Sequence, residues 1–200
     1  QARQEARTLA KQAENAQKEL FFFSQEKLDV IVRAVAKAFS ASAAELAQMA
    51  VEETGFGNVE DKITKNQFAS QTVLKAIEPM KTVGILKEIP GLWEVGVPVG
   101  VIAAIVPSTN PTSTVCYKAL IALKSGNSII FSPHPKALAC TLRATQIVAQ
   151  AAEAAGAPKG SVSCLTIPSL DGCRELMGAE HVRLILATGG PAMVKAAYSS

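Results

Sequence analysis

The feature that most constrains the fold is an alternation of apolar, strand-like runs with helix-like segments that begins at Val99. The first run, Val99–Val106, is rich in Val and Ile and stops at Pro107, after which small polar residues surround Asn110. Continuous apolar runs are typical of parallel strands that are buried on both faces. Because ligands bind beyond the carboxyl ends of such strands in an open α/β sheet, the turn Pro107–Pro111 is placed where a ligand would bind.

Three further apolar runs follow, each separated from the next by a helix-like segment. The predicted strands are Val101–Val106, Ser128–Phe131, Ser161–Ile167 and Val182–Ala187, and the predicted helices are Thr112–Lys124, Ala137–Ala155, Asp171–Met177 and Pro191–Tyr198. Strands joined by helices indicate a parallel sheet with right-handed βαβ connections. The last run ends in Thr188-Gly189-Gly190, so two strand ends together predict a nucleotide site. The predicted fold class is therefore α/β, with residues 99–200 as the nucleotide-binding domain.

The sequence before residue 99 has a different character. Residues 1–80 are rich in Ala, Gln, Glu and Lys and predict an N-terminal helical segment. The predicted helices are Gln1–Leu20, Lys27–Ala38 with Ser24 as its cap, Ala43–Glu53, and Asn58–Met80. Residues 81–98 predict a strand pair, Val83–Glu88 and Leu92–Val97, joined by a turn at Pro90-Gly91.

Composition excludes several classes of function. The net charge of +3 is small, the basic residues are scattered, and aromatic residues make up only 5%, so neither a nucleic-acid partner nor a base-stacking surface is expected. No apolar run approaches the roughly 20 residues that cross a bilayer, so no membrane partner is expected. The four cysteines show no C-x-x-C spacing, which predicts reduced, buried thiols in a cytoplasmic protein. His134 and His181 lack neighbouring ligands, so no metal site is predicted.

Two turns contain candidate functional residues. The side-chain amide of Asn110 can donate to a developing oxyanion, or Asn110 can simply close a turn, which local sequence favours. Thr188-Gly189-Gly190 precedes Pro191, a helix-starting residue, so a pyrophosphate can approach the backbone N–H groups at a helix N-terminus, or the glycines can form an ordinary turn. No G-x-G-x-x-G is present, so the standard dinucleotide fingerprint is absent.

Three other side chains near the predicted site have two interpretations each. His134 is either a turn residue with a solvated ring or a contact for a ribose or adenine. Lys118 is expected to be a surface or helix-end lysine rather than a catalytic one. Cys116 is the thiol nearest Asn110 in sequence, but a buried helix cysteine is favoured over a nucleophile.

Several motifs together resemble the aldehyde dehydrogenase superfamily. The broad pattern is carried by Pro107–Pro111, Ala122–Asn127 and Gly156–Gly160. The details are similar to the CoA-acylating branch, of the propionaldehyde and acetaldehyde dehydrogenase type. The segments that carry this closer resemblance are Ser108–Thr114, Ile129–Pro135, Leu184–Ser200, Glu53–Gly57, Glu60–Lys62 and Lys65-Asn66.

The resemblance implies an oxidoreductase that converts a short-chain aldehyde, CoA and NAD⁺ to acyl-CoA and NADH, or the reverse, through a cysteine nucleophile. It implies that Asn110 is the oxyanion-hole asparagine. It also implies that Ser132-Pro133-His134 replaces the Lys-containing ribose-binding stretch of the hydrolytic branch, leaving a pocket that admits CoA as well as NAD. The residues expected to contact the cofactor are Ile105, Val106, Pro107, Ser108, Thr109, Asn110, Pro133, His134, Thr188, Gly189 and Gly190.

The resemblance also sets expectations for the whole protein. None of the four cysteines matches the family's nucleophile motif, so the catalytic cysteine is expected beyond residue 200 and these 200 residues alone are expected to be inactive. We expect a homo-oligomer that is located in the cytoplasm or inside a bacterial microcompartment. No arginine lies beside Ser132-Pro133-His134 to receive a 2′-phosphate, which favours NAD over NADP. The alternatives are the aldehyde dehydrogenase half of a bifunctional aldehyde-alcohol dehydrogenase, or a non-catalytic nucleotide-binding or assembly module.

Overall fold

A computed structural model describes all of residues 1–200. The N-terminal part consists of helices with apolar side chains at helical spacing: α1 (Ala2–Leu20), α2 (Gln25–Ala41), α3 (Ala43–Thr54), α4 (Val59–Gln67) and α5 (Val73–Ile77). Ser24 caps α2 as predicted, because its hydroxyl accepts a hydrogen bond from the backbone N–H of Lys27. None of the helices, here or later in the chain, combines the length and apolar composition needed to cross a lipid bilayer.

A hairpin of two antiparallel strands follows, β1 (Gly84–Ile89) and β2 (Leu92–Gly96). The chain reverses at Pro90-Gly91, as predicted, and Gly91 has a φ of +80°, which residues with a Cβ rarely adopt. The hairpin is separate from the main sheet, and its side chains are exposed on both faces. Its apolar residues are therefore not covered by the rest of the chain.

The remainder of the chain forms an α/β layer structure with these elements: β3 (Val101–Ile105), α6 (Pro111–Lys124), β4 (Ile129–Ser132), α7 (Leu138–Ala154), β5 (Val162–Cys164), α8 (Leu170–Met177), β6 (Val182–Ala187) and α9 (Pro191–Tyr198). The four strands are parallel and lie in the order β5-β4-β3-β6. The chain proceeds from β3 outward to β5 and then returns to the other side of β3. This reversal of strand order between β3 and β6 marks the usual ligand crevice of such sheets. The predicted α/β fold class is confirmed.

The core lies on both faces of the central strand β3, every residue of which is buried. Ile102 and Ala104 face the larger cluster, which includes side chains of α2, α6 and α7. Val101 and Ala103 face the opposite cluster, together with three alanines of α1. Because α1 packs on one face of the sheet, and α2 packs on α6 and α7 on the opposite side, the N-terminal helices complete the layers around residues 99–200.

Two elements are shorter than the sequence predicts, whereas α2 extends beyond the predicted Lys27–Ala38 at both ends, to Gln25 and Ala41. The helix predicted over Asn58–Met80 is interrupted by a π-helical turn at Phe68–Thr72 and ends at Ile77. The hydroxyl of buried Ser70 donates to the carbonyl of Asn66, and a side chain that takes a backbone carbonyl in this way disturbs the regular ladder.

The strand predicted over Ser161–Ile167 is also shorter and covers only Val162–Cys164. The backbone N–H groups of Thr166 and Ile167 donate instead to the carboxylate of Glu5 on α1. Pairing with the neighbouring strand therefore stops before these residues.

Candidate active site

Two adjoining cavities, of about 700 Å³ and about 500 Å³, lie at the carboxyl edge of the sheet. Parallel pairing aligns Ile105 with Ser132 on β4 and with Ala187 on β6, so the turns after all three strands meet at this edge. Both cavities contact Pro107, His134, Thr188, Gly189 and Gly190. The larger one adds Ser108, Thr109 and Asn110, and the smaller one adds Ile105, Val106 and Pro133. The structure thus brings all the predicted site residues together.

The turn after β6 presents bare backbone to both cavities. Neither Gly189 nor Gly190 donates its backbone N–H to another group of the chain. A Cβ on Gly190 would meet nothing within 4 Å, so the space beside this backbone is open. Pro191 begins α9 directly afterwards. Free N–H groups at a helix N-terminus suit a phosphate group, which agrees with the diphosphate interpretation.

His134 lies on the wall between the two cavities with an exposed ring. Its Nδ1 accepts a hydrogen bond from the backbone N–H of Lys136 at 3.1 Å, which closes the turn at Pro135–Ala137. A neutral ring in this arrangement has its proton on Nε2. His134 is therefore a solvated turn residue that also keeps a donor available at the cavity wall.

Asn110 lies at the start of α6, but its side chain does not cap that helix. Its Oδ1 instead accepts a hydrogen bond from the ammonium of Lys65 at 3.1 Å, and its backbone carbonyl accepts one from the hydroxyl of Thr114 at 2.7 Å. Nδ2 makes no hydrogen bond within the chain, and the residue lines the larger cavity. The amide nitrogen is therefore the free end of this side chain.

Sequence reasoning missed Lys62 and Lys65 as site residues, although both lie within the motifs that carry the family resemblance. Lys62 is buried, and its ammonium donates to the carbonyl of Thr109 at 2.7 Å. Burial, and secondarily the charge of Lys65, lower the pKa of Lys62. The spacing of Lys62, Lys65 and Asn66 places them on one face of α4. This shared face is the sequence pattern that could have identified the two lysines as site residues.

The prediction for Lys118 was wrong. The residue is 2% exposed, and its ammonium donates to the carbonyls of Ile105 at 2.8 Å and Leu186 at 2.6 Å. These carbonyls lie near the carboxyl ends of β3 and β6, so the amine joins the two strands beneath the cavities. Burial lowers the pKa of Lys118 to about 8.

The four cysteines are free and buried, as predicted. Burial raises the pKa of the Cys140 and Cys164 thiols to about 12 and also raises the pKa values of Cys116 and Cys173. Cys173 lies in the wall of the smaller cavity, and Cys116 faces the core. Because the thiolate is the reactive form, none of these thiols is activated as a nucleophile.

A comparison with known protein families supports the assignment suggested by the motifs. The sequence profile of the aldehyde dehydrogenase family matches residues 1–200. The chain belongs to the aldehyde dehydrogenase family. This confirms the family that the motifs around Asn110 and Gly156–Gly160 predicted.

A curated relative of this aldehyde dehydrogenase chain is the bifunctional aldehyde-alcohol dehydrogenase of Escherichia coli strain K12. The two are 49% identical over 198 residues. The match covers 98% of this chain and 22% of the relative, so the chain spans about a fifth of that protein's length.

Solved structures of aldehyde dehydrogenases share the fold. An acetylating aldehyde dehydrogenase from Geobacillus thermoglucosidasius matches with a TM-score of 0.98 and 53% identity, over 100% of this chain and 45% of that one. Propionaldehyde dehydrogenase from Rhodopseudomonas palustris, with bound CoA, matches with a TM-score of 0.83 and 31% identity, over 97% of this chain and 44% of that one. A propionaldehyde dehydrogenase from a Clostridium phytofermentans microcompartment matches with a TM-score of 0.81 and 34% identity, over 95% of this chain and 43% of that one. These similar proteins include the acylating branch that the motifs predicted.

Proposed function

We propose that the chain is the nucleotide-binding portion of a CoA-acylating aldehyde dehydrogenase, which converts a short-chain aldehyde, CoA and NAD⁺ to acyl-CoA and NADH or catalyses the reverse. The observation that carries the proposal is the cleft at the carboxyl edge of the sheet. There the free amide nitrogen of Asn110 shares a cavity with the free backbone N–H groups of Gly189 and Gly190. A dinucleotide bound beside a carbonyl substrate uses both kinds of donor at once.

The proposed cofactor is NAD, which accepts the hydride when bound. The turn Pro107–Asn110 holds one side of it, and Thr188–Gly190 holds the diphosphate through backbone N–H groups. Neither cavity has an arginine in its wall, which favours NAD over NADP. The role of Asn110 is to donate from Nδ2 to the oxygen of the reacting carbonyl as negative charge develops there.

CoA is proposed to enter the same cleft as the second substrate. The wall at Ser132-Pro133-His134 has no lysine, and the ring of His134 is exposed. This leaves the adenosine end of the cleft open enough to accept either nucleotide in turn. The CoA bound in the Rhodopseudomonas palustris relative supports this assignment.

The nucleophilic cysteine is proposed to lie beyond residue 200. Each of the four thiols described here is buried and has a raised pKa, so none is suited to attack an aldehyde. We therefore expect the 200-residue chain to bind a nucleotide without catalysing turnover.

The proposed assembly is a homo-oligomer formed through the hairpin β1–β2. Leu92 and Trp93 on this hairpin are 60% and 61% exposed, and exposed apolar groups of this kind mark interaction surfaces. Light scattering of the intact protein and of a Trp93→Lys variant tests this contact, since loss of the oligomer is expected in the variant.

The cellular location is proposed to be the cytoplasm or a bacterial microcompartment, supported by the similarity to the Clostridium phytofermentans enzyme. Co-purification of the intact protein with shell proteins would place it in a compartment. Recovery in the free cytosolic fraction would place it outside.

Two alternative functions predict different observations. The identity to the Escherichia coli bifunctional enzyme favours the aldehyde dehydrogenase half of such a protein, and an iron-type alcohol dehydrogenase domain in the parent sequence would establish this. A non-catalytic nucleotide-binding or assembly module would bind NAD without any CoA-dependent chemistry in the complete protein.

The proposal is tested by two measurements made in parallel. The complete protein is assayed for NADH formation from a short-chain aldehyde with and without CoA, and the 200-residue chain is titrated with NAD by calorimetry. We expect CoA-dependent NADH formation by the complete protein, and nucleotide binding without turnover by the chain. NADH formation that does not require CoA would contradict the acylating assignment.

A further inference from the structure

The amide of Asn110 is oriented by a charged partner from another element. The ammonium of Lys65, on α4, contacts Oδ1 of Asn110 at 3.1 Å, although the two residues are 45 positions apart in the sequence. An ammonium group can only donate hydrogen bonds, so the amide atom that it contacts has to be the acceptor oxygen. The donor end of the amide, Nδ2, is consequently left for the cavity.

The backbone just before Asn110 is held from the same helix. Lys62, one turn before Lys65, donates to the carbonyl of Thr109 at 2.7 Å from a side chain that is largely removed from water. The peptide group between Thr109 and Asn110 is therefore fixed at its oxygen, while the side chain of Asn110 is fixed at Oδ1. One hydrogen-bond donor, Lys62, therefore fixes the position of the amide, and a second, Lys65, fixes its rotation.

The helix that bears these two lysines is itself anchored. Asn66 is 1% exposed, and its Nδ2 donates to the carbonyl of Ala43 on α3 at 3.0 Å. Its Oδ1 accepts a hydrogen bond from the hydroxyl of Thr112 on α6 at 2.9 Å. These bonds tie α4 to the helix that begins beside Asn110, so the lysines act from a rigid support.

We propose that Lys65, with Lys62 behind it, is a positioning residue that holds Nδ2 of Asn110 toward the oxygen of the reacting carbonyl. The inference rests on the proposed function. Without Lys65 the amide can flip about χ2 of Asn110 and direct Oδ1 toward the reacting carbonyl. An amide oxygen in that position repels a developing oxyanion. The adjacent positive charge also polarises the amide and makes Nδ2 a stronger donor. Lys65 also lines the larger cavity, and the role proposed for it is exerted through the amide of Asn110.

The experiment is a double-mutant cycle in the complete protein, with Lys65→Met, Asn110→Ala and the double variant. We expect Lys65→Met to lower kcat by about tenfold with little change in the KM for NAD, because the lost interaction matters in the transition state. Lys65→Arg should recover most of the loss. The double variant should have the kcat of Asn110→Ala alone, since Lys65 then has no amide left to orient.

The matched control is Lys75→Met, because Lys75 is an exposed lysine of α5 without a hydrogen bond or ion pair. It should leave kcat unchanged, and all variants should unfold at the temperature of the parent protein. A loss from Lys65→Met that adds to the loss from Asn110→Ala would overturn the inference, as would an unchanged kcat in Lys65→Met. If Asn110→Ala itself leaves kcat unchanged, the proposed function of Asn110 fails together with the positioning role.

Discussion

The two turns that face each other across the cleft are held in opposite ways. After β3, side chains from other elements hold the carbonyl of Thr109 and the amide of Asn110. After β6, the N–H groups of Gly189 and Gly190 have no partner in the chain. The first turn therefore offers one donor in a fixed direction, whereas the second offers unpaired backbone at the start of a helix. One cleft can thus combine a precise hydrogen bond with general attraction for a phosphate.

The largest effect is expected from removing the fixed donor. Asn110→Ala deletes the amide while the neighbouring turn stays in place, so kcat of the complete protein should fall by about 10²–10³-fold. The measurement is NADH formation at saturating CoA and NAD. Asn15→Ala, at an exposed position on α1, is the control. A loss below about tenfold would mean that the turn after β3 is only structural.

The next effect concerns Lys118, which supports both turns from below. Lys118→Met leaves the carbonyls of Ile105 and Leu186 without this donor, so the free energy of unfolding should fall by about 2 kcal/mol. The measurement is urea denaturation, with Lys75→Met as control. Equal stability of Lys118→Met and the parent would show that the strand ends do not need this amine.

The same residue makes stability depend on pH in a defined direction. Burial lowers the folded-state pKa of Lys118 to about 8, whereas the unfolded value is 10.5. Between these values the unfolded chain binds more protons than the folded one, so the contribution of Lys118 to stability rises with pH. The parent protein should therefore gain about 1 kcal/mol relative to Lys118→Met between pH 7 and pH 9. A difference that stays constant over this range would contradict the lowered pKa.

The last prediction tests the bare turn after β6. Gly190 has φ −67° and ψ 165°, which alanine adopts readily, and its added Cβ would meet no atom of the chain. Gly190→Ala should therefore leave the unfolding temperature unchanged but weaken NAD binding about tenfold, because the methyl group occupies the ligand's approach to the backbone. Calorimetry measures the affinity.

The matched control is Gly178→Ala. Gly178 has a φ of −88°, its added Cβ would make only an ordinary contact with the carbonyl of Arg174, and it lies outside both cavities. Unchanged affinity in both variants would show that the ligand does not approach the turn closely.

Much of the fold follows from local sequence patterns. The structure has β6 at Val182–Ala187 and α9 at Pro191–Tyr198, the bounds that the sequence predicts. These elements are separated by Thr188-Gly189-Gly190, and Pro191 begins the helix. Glycine and proline mark such boundaries through their backbone preferences alone. The location of Asn110 at a strand end is likewise a local property of the apolar run that precedes it.

The contacts that organise the site are not local. A charged residue such as Lys118 is ordinarily expected at the surface. Its sequence position does not predict that its ammonium donates to two strand-end carbonyls inside the core. Lys65 meets Asn110 only after α4 packs beside α6. The π-helical turn at Phe68–Thr72 packs against α2 and α6. Each of these features is decided by tertiary packing, which single-sequence patterns do not contain.

The exposed hairpin carries the chain's single tryptophan, Trp93, whose indole N–H donates to Glu88 across the strand pair. The hairpin contributes no residue to the walls of the two cavities. In the 200-residue chain, the tryptophan fluorescence under selective excitation therefore reports on the hairpin alone. Its emission will shift to shorter wavelength when a second subunit covers the indole and will stay constant as nucleotide fills the cleft. Within residues 1–200, Trp93 is thus an optical label that separates assembly from ligand binding.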